Sequence, residues 1–459
     1  MHLIFTSLAF NQTRYFVALC EELKGKGFSS SIISFHEQSN SFIETRGVQY
    51  FNVFAAGEKH QVKMDLVPDA FVATMRDFGV EAPNILLSHE KTAFNITNDL
   101  QLKRKFIKYF KVVDEVLKKA KSEYGSNLVV VQELGGFASL LATFFVSRKL
   151  GIEHLFLEPS FFKGRMFIVR NSLLAHKPIG QNGELSPEVE AYLKKVRIRK
   201  EIVIPQKDRL HYQHPIFKIM SATNFKRLAQ KLGGKYVWGS REEFNYIGSF
   251  VLRHVRMLVN RFRLSMFYKS IPDCKFIYYP FHVPMDVALT IRAPRYLDQY
   301  SLIDYISRSL PADYQLVIKE HPAMIGVVSY NRVRDLLRRN QNIVLLNPDI
   351  NNYEVIARAD LLITVNSKTG AESLMMGKRV VCLGDAFYAQ AKPIRYLDNL
   401  HNLFREIKEG LEANPPEAST VGSFFQAVWD ESFPGELYFC EEQNIKNSAE
   451  SVSRCLNRL

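Results

Sequence analysis

The sequence FIYYPFHVPMD at residues 276–286 opens the pattern that decides the fold. An apolar run ends there in an abrupt polar cluster, and the same happens in LVIKEHP at 316–322 and in LLITVNSKTGAE at 361–372. Two further apolar runs, IVLL at 343–346 and VVCL at 380–383, complete the rhythm. Short apolar runs separated by helix-length segments predict the buried strands of a parallel α/β sheet.

The polar clusters that follow these runs differ from one another, and this predicts a binding site. In an open parallel sheet, ligands bind in the crevice beyond the carboxyl ends of the strands. The clusters contain a histidine and an aspartate in 281–286, a Lys-Glu-His-Pro sequence in 319–322, and hydroxyl and amide groups in 366–370. A sheet packed only for stability would not need three chemically distinct loops at one edge.

Length and composition indicate a multidomain globular protein. The chain has 459 residues, of which 47% are hydrophobic and 23% charged, and this length predicts two or three domains. Five dispersed cysteines without a CxxC pair favour a reducing cytoplasm over a disulfide framework or a metal site. No apolar run is long enough to span a bilayer, and the N-terminus is typical of a first strand rather than a signal peptide.

The net charge of +13 is concentrated in one segment. Residues 207–270 contain 13 lysines and arginines against three acidic residues. A basic surface of this kind favours an anionic lipid surface or a phosphorylated substrate, or is simply a solvated helical face. The apolar and basic residues of 250–267 alternate at helical spacing, which fits a membrane-surface helix and equally a linker helix between domains. Nucleic-acid binding is not expected, because no aromatic platform or recognisable motif accompanies the charge.

The first half of the chain repeats the strand–helix alternation. Strands are predicted at 3–8, 31–35, 128–131 and 154–157, with helices at 13–25, 101–122 and 136–150. The polar stretch 57–100 is interpreted as loops over the site. The predicted fold class is therefore α/β, with two Rossmann-like, doubly wound parallel-sheet domains that face each other across a cleft. The predicted ranges are 1–205 for an N-terminal acceptor domain, 206–270 for a basic helical linker, 271–435 for a donor domain and 436–459 for a closing helix.

Two loops are predicted to bind a phosphate. Pro322 biases His321 towards an extended conformation, which aims the imidazole out of the strand tip, and Lys319 adds charge. Alternatively, His321 is a surface histidine in a proline turn. The second loop provides hydroxyls, backbone N–H groups and a helix start, and a ribose hydroxyl could bind the acid that follows. Its predicted binding residues are Asn366, Ser367, Lys368, Thr369, Gly370 and Glu372; simple N-capping is the alternative.

Carboxylates at the strand ends are the candidate catalytic groups. Asp286 stands between the two predicted sheet edges, where it could act as a base or as a nucleophile towards a sugar carbon, or merely cap a helix. In the first half, Gln132, Glu133 and Glu158 end predicted strands and are expected to face the same cleft. No Walker A loop and no GxGxxG fingerprint occurs, so ATP and NAD are poor candidates.

These residues resemble the capsule polysaccharide biosynthesis family, a group of GT-B glycosyltransferases that includes bacterial β-Kdo transferases. The resemblance covers about 275–390, is fainter over 125–172, and is most specific between 364 and 384. It implies that His321 binds the nucleotide phosphate of the donor, with Lys319, Pro322, His282, Ser367 and Thr369 in the same site and Glu372 near the ribose. It also implies that Asp286 is the carboxylate at the reaction centre, the nucleophile of a retaining mechanism.

The expected function is a cytoplasmic glycosyltransferase of surface polysaccharide biosynthesis, peripheral at the inner face of the membrane. The donor would be a nucleotide sugar, CMP-linked if the Kdo likeness holds, and the acceptor a glycan or a lipid-linked glycan. Glu158 or Glu133 would serve as the base, and no metal or cofactor is expected. Three alternatives remain: a glycerophosphotransferase with a CDP-glycerol donor, a nucleotide-sugar 2-epimerase, and a non-catalytic partner in an export complex.

Overall fold

Two parallel-sheet units make up the computed structural model of this protein, which describes residues 1–179, 185–200, 204, 222–244 and 246–457. One sheet has seven strands and the other has six. Both are α/β units with helices on both faces, so the predicted GT-B-like fold class is confirmed.

The first sheet has a Rossmann-like strand order. Its strands are β1 (His2–Ser7), β2 (Ser29–Ser34), β3 (Gln49–Asn52), β4 (Leu128–Glu133), β5 (Glu153–Pro159) and β6 (Arg165–Arg170), joined at the edge by β13 (Phe433–Pro434). The order β13-β6-β5-β4-β1-β2-β3 reverses direction between β1 and β4. Strands β1 to β5 are parallel, β6 pairs antiparallel with β5, and β13 pairs antiparallel with β6. The hairpin formed by β5 and β6 therefore lies at one edge of the sheet, whereas the sequence pattern predicted a purely parallel sheet.

The longer surface helices of this unit bury one apolar face, whereas Ala138–Lys149 is buried on all sides over its first ten residues. They are Phe10–Lys24, Asn40–Thr45, Val53–Ala56, Val67–Asp77, Pro83–Phe94, Asp99–Tyr124, Ala138–Lys149 and Pro187–Arg199. Two of them, Val67–Asp77 and Pro83–Phe94, lie in the stretch 57–100 that was interpreted as loops. That interpretation is wrong for these residues, because Phe71, Met75 and Leu87 are buried in the core.

The second sheet places the three polar loops side by side. Its strands are β7 (Phe276–Pro280), β8 (Gln315–Lys319), β9 (Ile343–Leu345), β10 (Leu361–Thr364), β11 (Arg379–Cys382) and β12 (Ile394–Tyr396). All pairings are parallel, in the order β12-β11-β10-β7-β8-β9. The strand order reverses between β7 and β10, and a crevice at such a switch point is where open α/β sheets bind ligands.

Short helices connect these strands on both faces. They are Val287–Thr290, Gln299–Arg308, Tyr330–Arg339, Asn352–Arg358, Thr369–Met375 and Leu403–Glu412. Ile277, Tyr279 and Ile303 belong to a buried apolar cluster whose members all lie between residues 264 and 407, so one face of the second sheet has a core of its own. Tyr278, Tyr353 and Tyr388 belong to a second cluster, which continues into the first unit.

The chain returns to the first unit near its C-terminal end. The helix Glu442–Leu456 packs against the helix Phe10–Lys24, and the preceding β13 pairs with β6. The strand Phe433–Pro434 lies within the range 271–435 that was predicted for the donor domain, so that boundary is wrong. The reason is that Arg165 of β6 binds the Trp429 and Ser432 carbonyls, which fixes this segment to the first sheet before residue 436.

Two helices, Ala222–Tyr236 and Ile247–Leu264, lie between the units. Arg253 donates to the Ala93 carbonyl of the first unit at 2.6 Å, and Asn260 donates to the Gly326 carbonyl of the second at 3.1 Å. The second helix therefore contacts both units, as a linker would. Residues 206–221 and 245 of the predicted linker 206–270 lie outside the described residues. Across the described part of the chain, no helix is both long enough and apolar enough to cross a membrane.

Candidate active site

The candidate site lies at the carboxyl ends of three adjacent strands, β10, β7 and β8. The loop after β7 contains His282 and Asp286, the loop after β8 contains His321, and the loop after β10 contains Ser367. Hydrogen bonds and charge interactions connect these loops, so the structure brings the predicted phosphate-binding residues together at one edge.

His321 is oriented by its own backbone. Its Nδ1 accepts a hydrogen bond from the Ala323 N–H at 3.3 Å, which leaves the proton on Nε2. Burial lowers the pKa of His321 to about 4, and the positive charge of Lys319 adds to the shift while the negative charge of Asp286 opposes it. The ring is therefore neutral at pH 7, with its proton on Nε2.

A buried carboxylate that the sequence analysis did not single out shapes this loop. Glu320 accepts a hydrogen bond from the Tyr268 hydroxyl at 2.6 Å and another from the Gly326 N–H at 2.8 Å. Burial raises the pKa of Glu320, and these two hydrogen bonds oppose the shift. The bond from Gly326 to Glu320 closes the turn that contains His321, and the bond from Tyr268 fixes the start of this turn.

His282 ties the first loop to the third. The Gln299 side chain brackets its backbone, accepting from the His282 N–H at 2.7 Å and donating to its carbonyl at 3.0 Å. The His282 Nε2 accepts from the Asn366 N–H at 3.2 Å, so the ring proton is on Nδ1, which is buried without a described partner. Burial lowers the pKa of His282 to about 4. His282 fixes the start of the 366–370 loop and keeps one donor available.

Lys319 is a buried cation at the centre of the site. The residue is 2% exposed, and burial lowers the pKa of its ammonium group to about 8 despite the opposing charges of Glu372, Asp349 and Glu320. The structure records no hydrogen bond between Lys319 Nζ and any described residue. A desolvated cation in this state would gain from an anionic ligand.

Glu372 lies beneath the helix Thr369–Met375 rather than at its surface. It is buried, and its Oε2 accepts from Asn352 Nδ2 at 2.9 Å, while Asn352 Oδ1 accepts from the Tyr278 hydroxyl at 2.8 Å. Burial raises the pKa of Glu372. Its side chain turns inward and forms a core hydrogen-bond chain with Asn352 and Tyr278, and a place near the ribose stays a prediction.

The 366–370 loop is held by local hydrogen bonds and by contacts with Phe161 and Tyr388. Ser367 Oγ accepts from the Thr369 N–H at 3.3 Å in a local turn, while the N-cap residue of the following helix is Lys368, whose side chain makes no capping bond. Lys368 Nζ lies 5.1 Å from the centre of the Phe161 ring of the first unit. Gly370 packs closely against Tyr388: a Cβ atom there would lie 2.3 Å from the Tyr388 hydroxyl.

Asp286 caps the helix Val287–Thr290 and remains exposed. Its Oδ1 accepts from the Ala288 N–H at 2.9 Å. Its negative charge acts on three imidazoles, those of His282, His321 and His89. Oδ1 of Asp286 therefore caps the helix, as the capping alternative predicted. The same carboxylate is close enough to the imidazoles of His282, His321 and His89 to act on their charge.

His89 is a site residue that the sequence analysis missed. It lies on the helix Pro83–Phe94 of the first unit, and its Nδ1 contacts the Thr290 hydroxyl of the second unit at 2.8 Å. The Thr290 hydroxyl donates to the Asp286 carbonyl, so His89 Nδ1–H is the donor and Nε2 is left as a buried acceptor without a described partner. Burial lowers the pKa of His89 to about 4. The sequence contains no signal for His89, because it is a single histidine in the polar stretch 57–100 and belongs to no motif.

The three predicted residues of the first sheet are in different environments. Gln132 is fully buried and donates to the Leu140 carbonyl at 2.9 Å, so the expectation that it faces the cleft is wrong. Glu133 accepts from the Tyr438 hydroxyl at 2.6 Å and from Gln12 Nε2 at 3.5 Å. Successive side chains of a strand point to opposite faces, so Gln132 and Glu133 cannot share one environment.

Glu158 takes part in an interdomain clasp. Its Oε1 accepts from Arg292 Nη2 at 2.5 Å, and the same guanidinium donates to the Leu173 and Leu174 carbonyls of the first unit. Asp385 of the second unit lies 3.8 Å from Arg292 Nε and accepts from the Ala175 N–H at 2.6 Å. Arg292 closely follows the helix that Asp286 caps, so the clasp brings Glu158 to the same side of the cleft.

The described residues contain no group of three or more His, Cys, Asp or Glu side chains arranged to hold a metal ion.

Comparison with protein families identifies the site-bearing segment. Residues 188–392 match the family described as capsule polysaccharide biosynthesis protein. The resemblance to this family is confirmed. The match begins well before the predicted range 275–390, and so includes both helices between the units. It does not include the fainter stretch 125–172.

Individual relatives are distant from the chain. Protein FixF of Sinorhizobium fredii is 32% identical over 115 residues, which are 25% of this chain and 27% of that protein. The β-Kdo 2,7 transferase KpsC of Thermosulfurimonas dismutans shares 14% identity, with 74% of this chain and 90% of that chain covered and a TM-score of 0.36. The UDP-GlcNAc 2-epimerase of Methanocaldococcus jannaschii shares 13% identity over the whole of both chains, with a TM-score of 0.29.

Proposed function

We propose that this protein is a glycosyltransferase of bacterial surface polysaccharide biosynthesis that uses a nucleotide-sugar donor and a glycan or lipid-linked acceptor. The family match over 188–392 supports the biosynthetic role. The observation that carries the proposal is the convergence of His282, Asp286, His321 and Lys319 at the switch point of the second sheet. Donors and a buried cation at such a position suit a phosphate-linked leaving group.

The donor phosphate would be held by neutral donors and one cation. His321 Nε2–H is the first donor, and the ammonium group of Lys319 provides the positive charge. Hydroxyls of Ser367 and Thr369 lie at the neighbouring loop. A cytidine monophosphate leaving group is the proposed choice, following the family's β-Kdo transferases.

Asp286 is the proposed nucleophile of a retaining mechanism. Its carboxylate oxygen would bond to the anomeric carbon as the bond from that carbon to the phosphate oxygen breaks, and the electron pair leaves with the nucleotide. The acceptor oxygen would then displace the carboxylate, and its proton would pass to a base. Glu158 is the better placed of the two predicted bases, because Arg292 holds it beside the helix that Asp286 caps, whereas Glu133 binds Tyr438 of the C-terminal segment.

Thermal-shift measurements with CMP, CDP, UDP and GDP test the donor site without knowledge of the acceptor. The proposal expects CMP to give the largest rise in melting temperature and His321→Ala to reduce it. A matched control is His401→Ala, which changes a surface histidine on the second unit. Stabilisation by CMP that is equal in both variants would contradict the proposed donor site.

Activity assays separate the competing functions. Transfer should persist in chelator, because histidine, lysine and hydroxyl donors take the place of a metal at the phosphate; strict dependence on a divalent cation would count against this. Conversion of the nucleotide sugar without an acceptor would identify an epimerase, and transfer of glycerol phosphate from CDP-glycerol would identify a glycerophosphotransferase. A non-catalytic partner would keep its function in Asp286→Ala and His321→Ala.

A further inference from the structure

The helix Ile247–Leu264 leaves an apolar stripe uncovered. Its members recur at intervals of three or four residues, which places them on one side of the helix and its 3₁₀ extension. They are Val251, Val255, Val259, Phe262 and Met266. All five are exposed, Val255 by 51%, Met266 by 70% and Phe262 by 80%. Soluble surfaces rarely leave apolar side chains contiguous to this extent unless something binds them.

The opposite side of the same helix is already packed. Met257 and Leu264 are buried against the second unit. The contact is tight, because a Cβ atom on Gly326 would lie 2.1 Å from the Met257 carbonyl oxygen. Asn260 also donates to the Gly326 carbonyl. The helix is therefore fixed in place with its stripe outward, and the core does not need the stripe.

Positive charge borders the stripe. Arg256 and Arg263 are exposed next to it along the helix. From residue 244 to residue 272 the sequence has four arginines and one lysine and no acidic residue. At the end of the preceding helix and in the turn after it, Tyr236 and Trp238 are also exposed, and both residue types favour the boundary between water and lipid.

We propose that this face of the helix binds an anionic membrane surface, with the five apolar side chains in the acyl boundary and the arginines at the lipid phosphates. An interfacial helix combines an apolar stripe with basic flanks in this way. The absence of acidic residues from 244–272 favours a lipid surface over a protein partner, whose contact would usually match charge with charge. The inference deepens the proposed function, because it places the enzyme where a lipid-linked acceptor is found.

Vesicle flotation of the full chain tests this surface. Wild-type protein should float with vesicles of phosphatidylcholine and phosphatidylglycerol and not with phosphatidylcholine alone, and added salt should release it. Phe262→Asp should weaken binding about tenfold or more, the loss expected for one buried phenylalanine. Phe404→Asp is the matched control, since Phe404 is an exposed aromatic residue on a helix remote from the stripe. Arg256→Glu with Arg263→Glu should also release the protein, while Lys408→Glu should not.

Failure of the wild-type protein to float with the anionic vesicles would overturn the inference, and so would either of two further results. One is equal flotation of wild-type protein and Phe262→Asp. The other is a dimer, detected by sedimentation without lipid, that Phe262→Asp dissociates, because the stripe would then be an interface between two copies. CMP stabilisation should be the same in wild type and Phe262→Asp. If the wild-type protein binds CMP but not the anionic vesicles, the membrane surface is rejected and the donor site stands. If it binds the vesicles but not CMP, the donor site is rejected and the membrane surface stands.

Discussion

Lys319 gives the proposed donor site a pH dependence that can be measured. In the protein without ligand, burial lowers the pKa of this lysine to about 8. A bound phosphate would restore the pKa towards the ordinary lysine value of about 10.4. Binding therefore takes up a proton above pH 8, and affinity must fall as pH rises through that value.

The size of the effect follows from the protonated fraction. Below pH 8 the ammonium form dominates and the dissociation constant for CMP should be constant with respect to this lysine. Each pH unit above 8 should weaken binding roughly tenfold, until the pKa of the complex is reached at about 10. The phosphate group of CMP is fully ionised above pH 7, because its second pKa is about 6. The neighbouring His321 and His282 remain neutral throughout this range, since their pKa values are about 4.

Isothermal titration of CMP between pH 7 and pH 9.5 checks this prediction. Lys319→Met should bind CMP at pH 7 as weakly as wild type does well above pH 8, and its affinity should not change with pH. Lys408→Met, which removes an exposed lysine far from the site, should keep the wild-type profile. A pH profile in Lys319→Met that matches wild type would refute the assignment of this cation to the phosphate.

Three further predictions concern catalysis, domain contact and packing. Asp286→Asn should lower transfer by at least about 10³-fold and leave the dissociation constant of CMP nearly unchanged, as measured by initial rates and titration; parallel loss of binding would contradict a nucleophilic role. Arg292→Ala leaves the partly buried Glu158 carboxylate, whose side chain is 14% exposed, without its charge partner. The substitution should destabilise the protein by up to about 3 kcal/mol, the lower end of the range for a buried pair, seen as an earlier first transition in urea; Glu158→Gln in the same background should recover part of the loss. Gly370→Ala forces a methyl group against the Tyr388 hydroxyl and should cost about 1–3 kcal/mol in the same assay, and no change would show that this helix start can shift.

The second sheet was predictable because its strands are buried on both faces. A strand of that kind is a nearly continuous apolar run, so β7, β8 and β10 stand out from their polar ends. The order of these strands follows from right-handed crossovers and from the reversal that Rossmann-like units share. The loops that meet at the edge were therefore identified from sequence spacing.

Side-chain direction is where the sequence reasoning failed. Gln132 and Glu133 are neighbours on one strand, so period-two alternation already excluded that both face the cleft. Glu372 lies in the first turn of its helix, where a side chain can point into the core as easily as over the surface. The structure shows that Asn352 draws it inward, and nothing in the linear sequence pairs these two residues.

Contacts between the units could not be predicted from one sequence. Arg292 and Glu158 are 134 positions apart, and His89 and Thr290 are 201 apart. Each of these residues looks ordinary in its own segment. Their roles depend on how the two sheets dock, which is set by apolar packing over many residues rather than by any local pattern.

Burial of the histidines provides a physical reason for the composition of the site. A protonated imidazole next to Asp286 would pair with its carboxylate and reduce its reactivity towards carbon. Because burial at the edges of the two sheets lowers the pKa values of His89, His282 and His321 to about 4, these rings are neutral at pH 7. His282 and His321 can donate hydrogen bonds to a departing phosphate without neutralising the carboxylate, whereas the single N–H of His89 already donates to Thr290. The positive charge that the phosphate needs is supplied instead by Lys319, from the neighbouring strand β8.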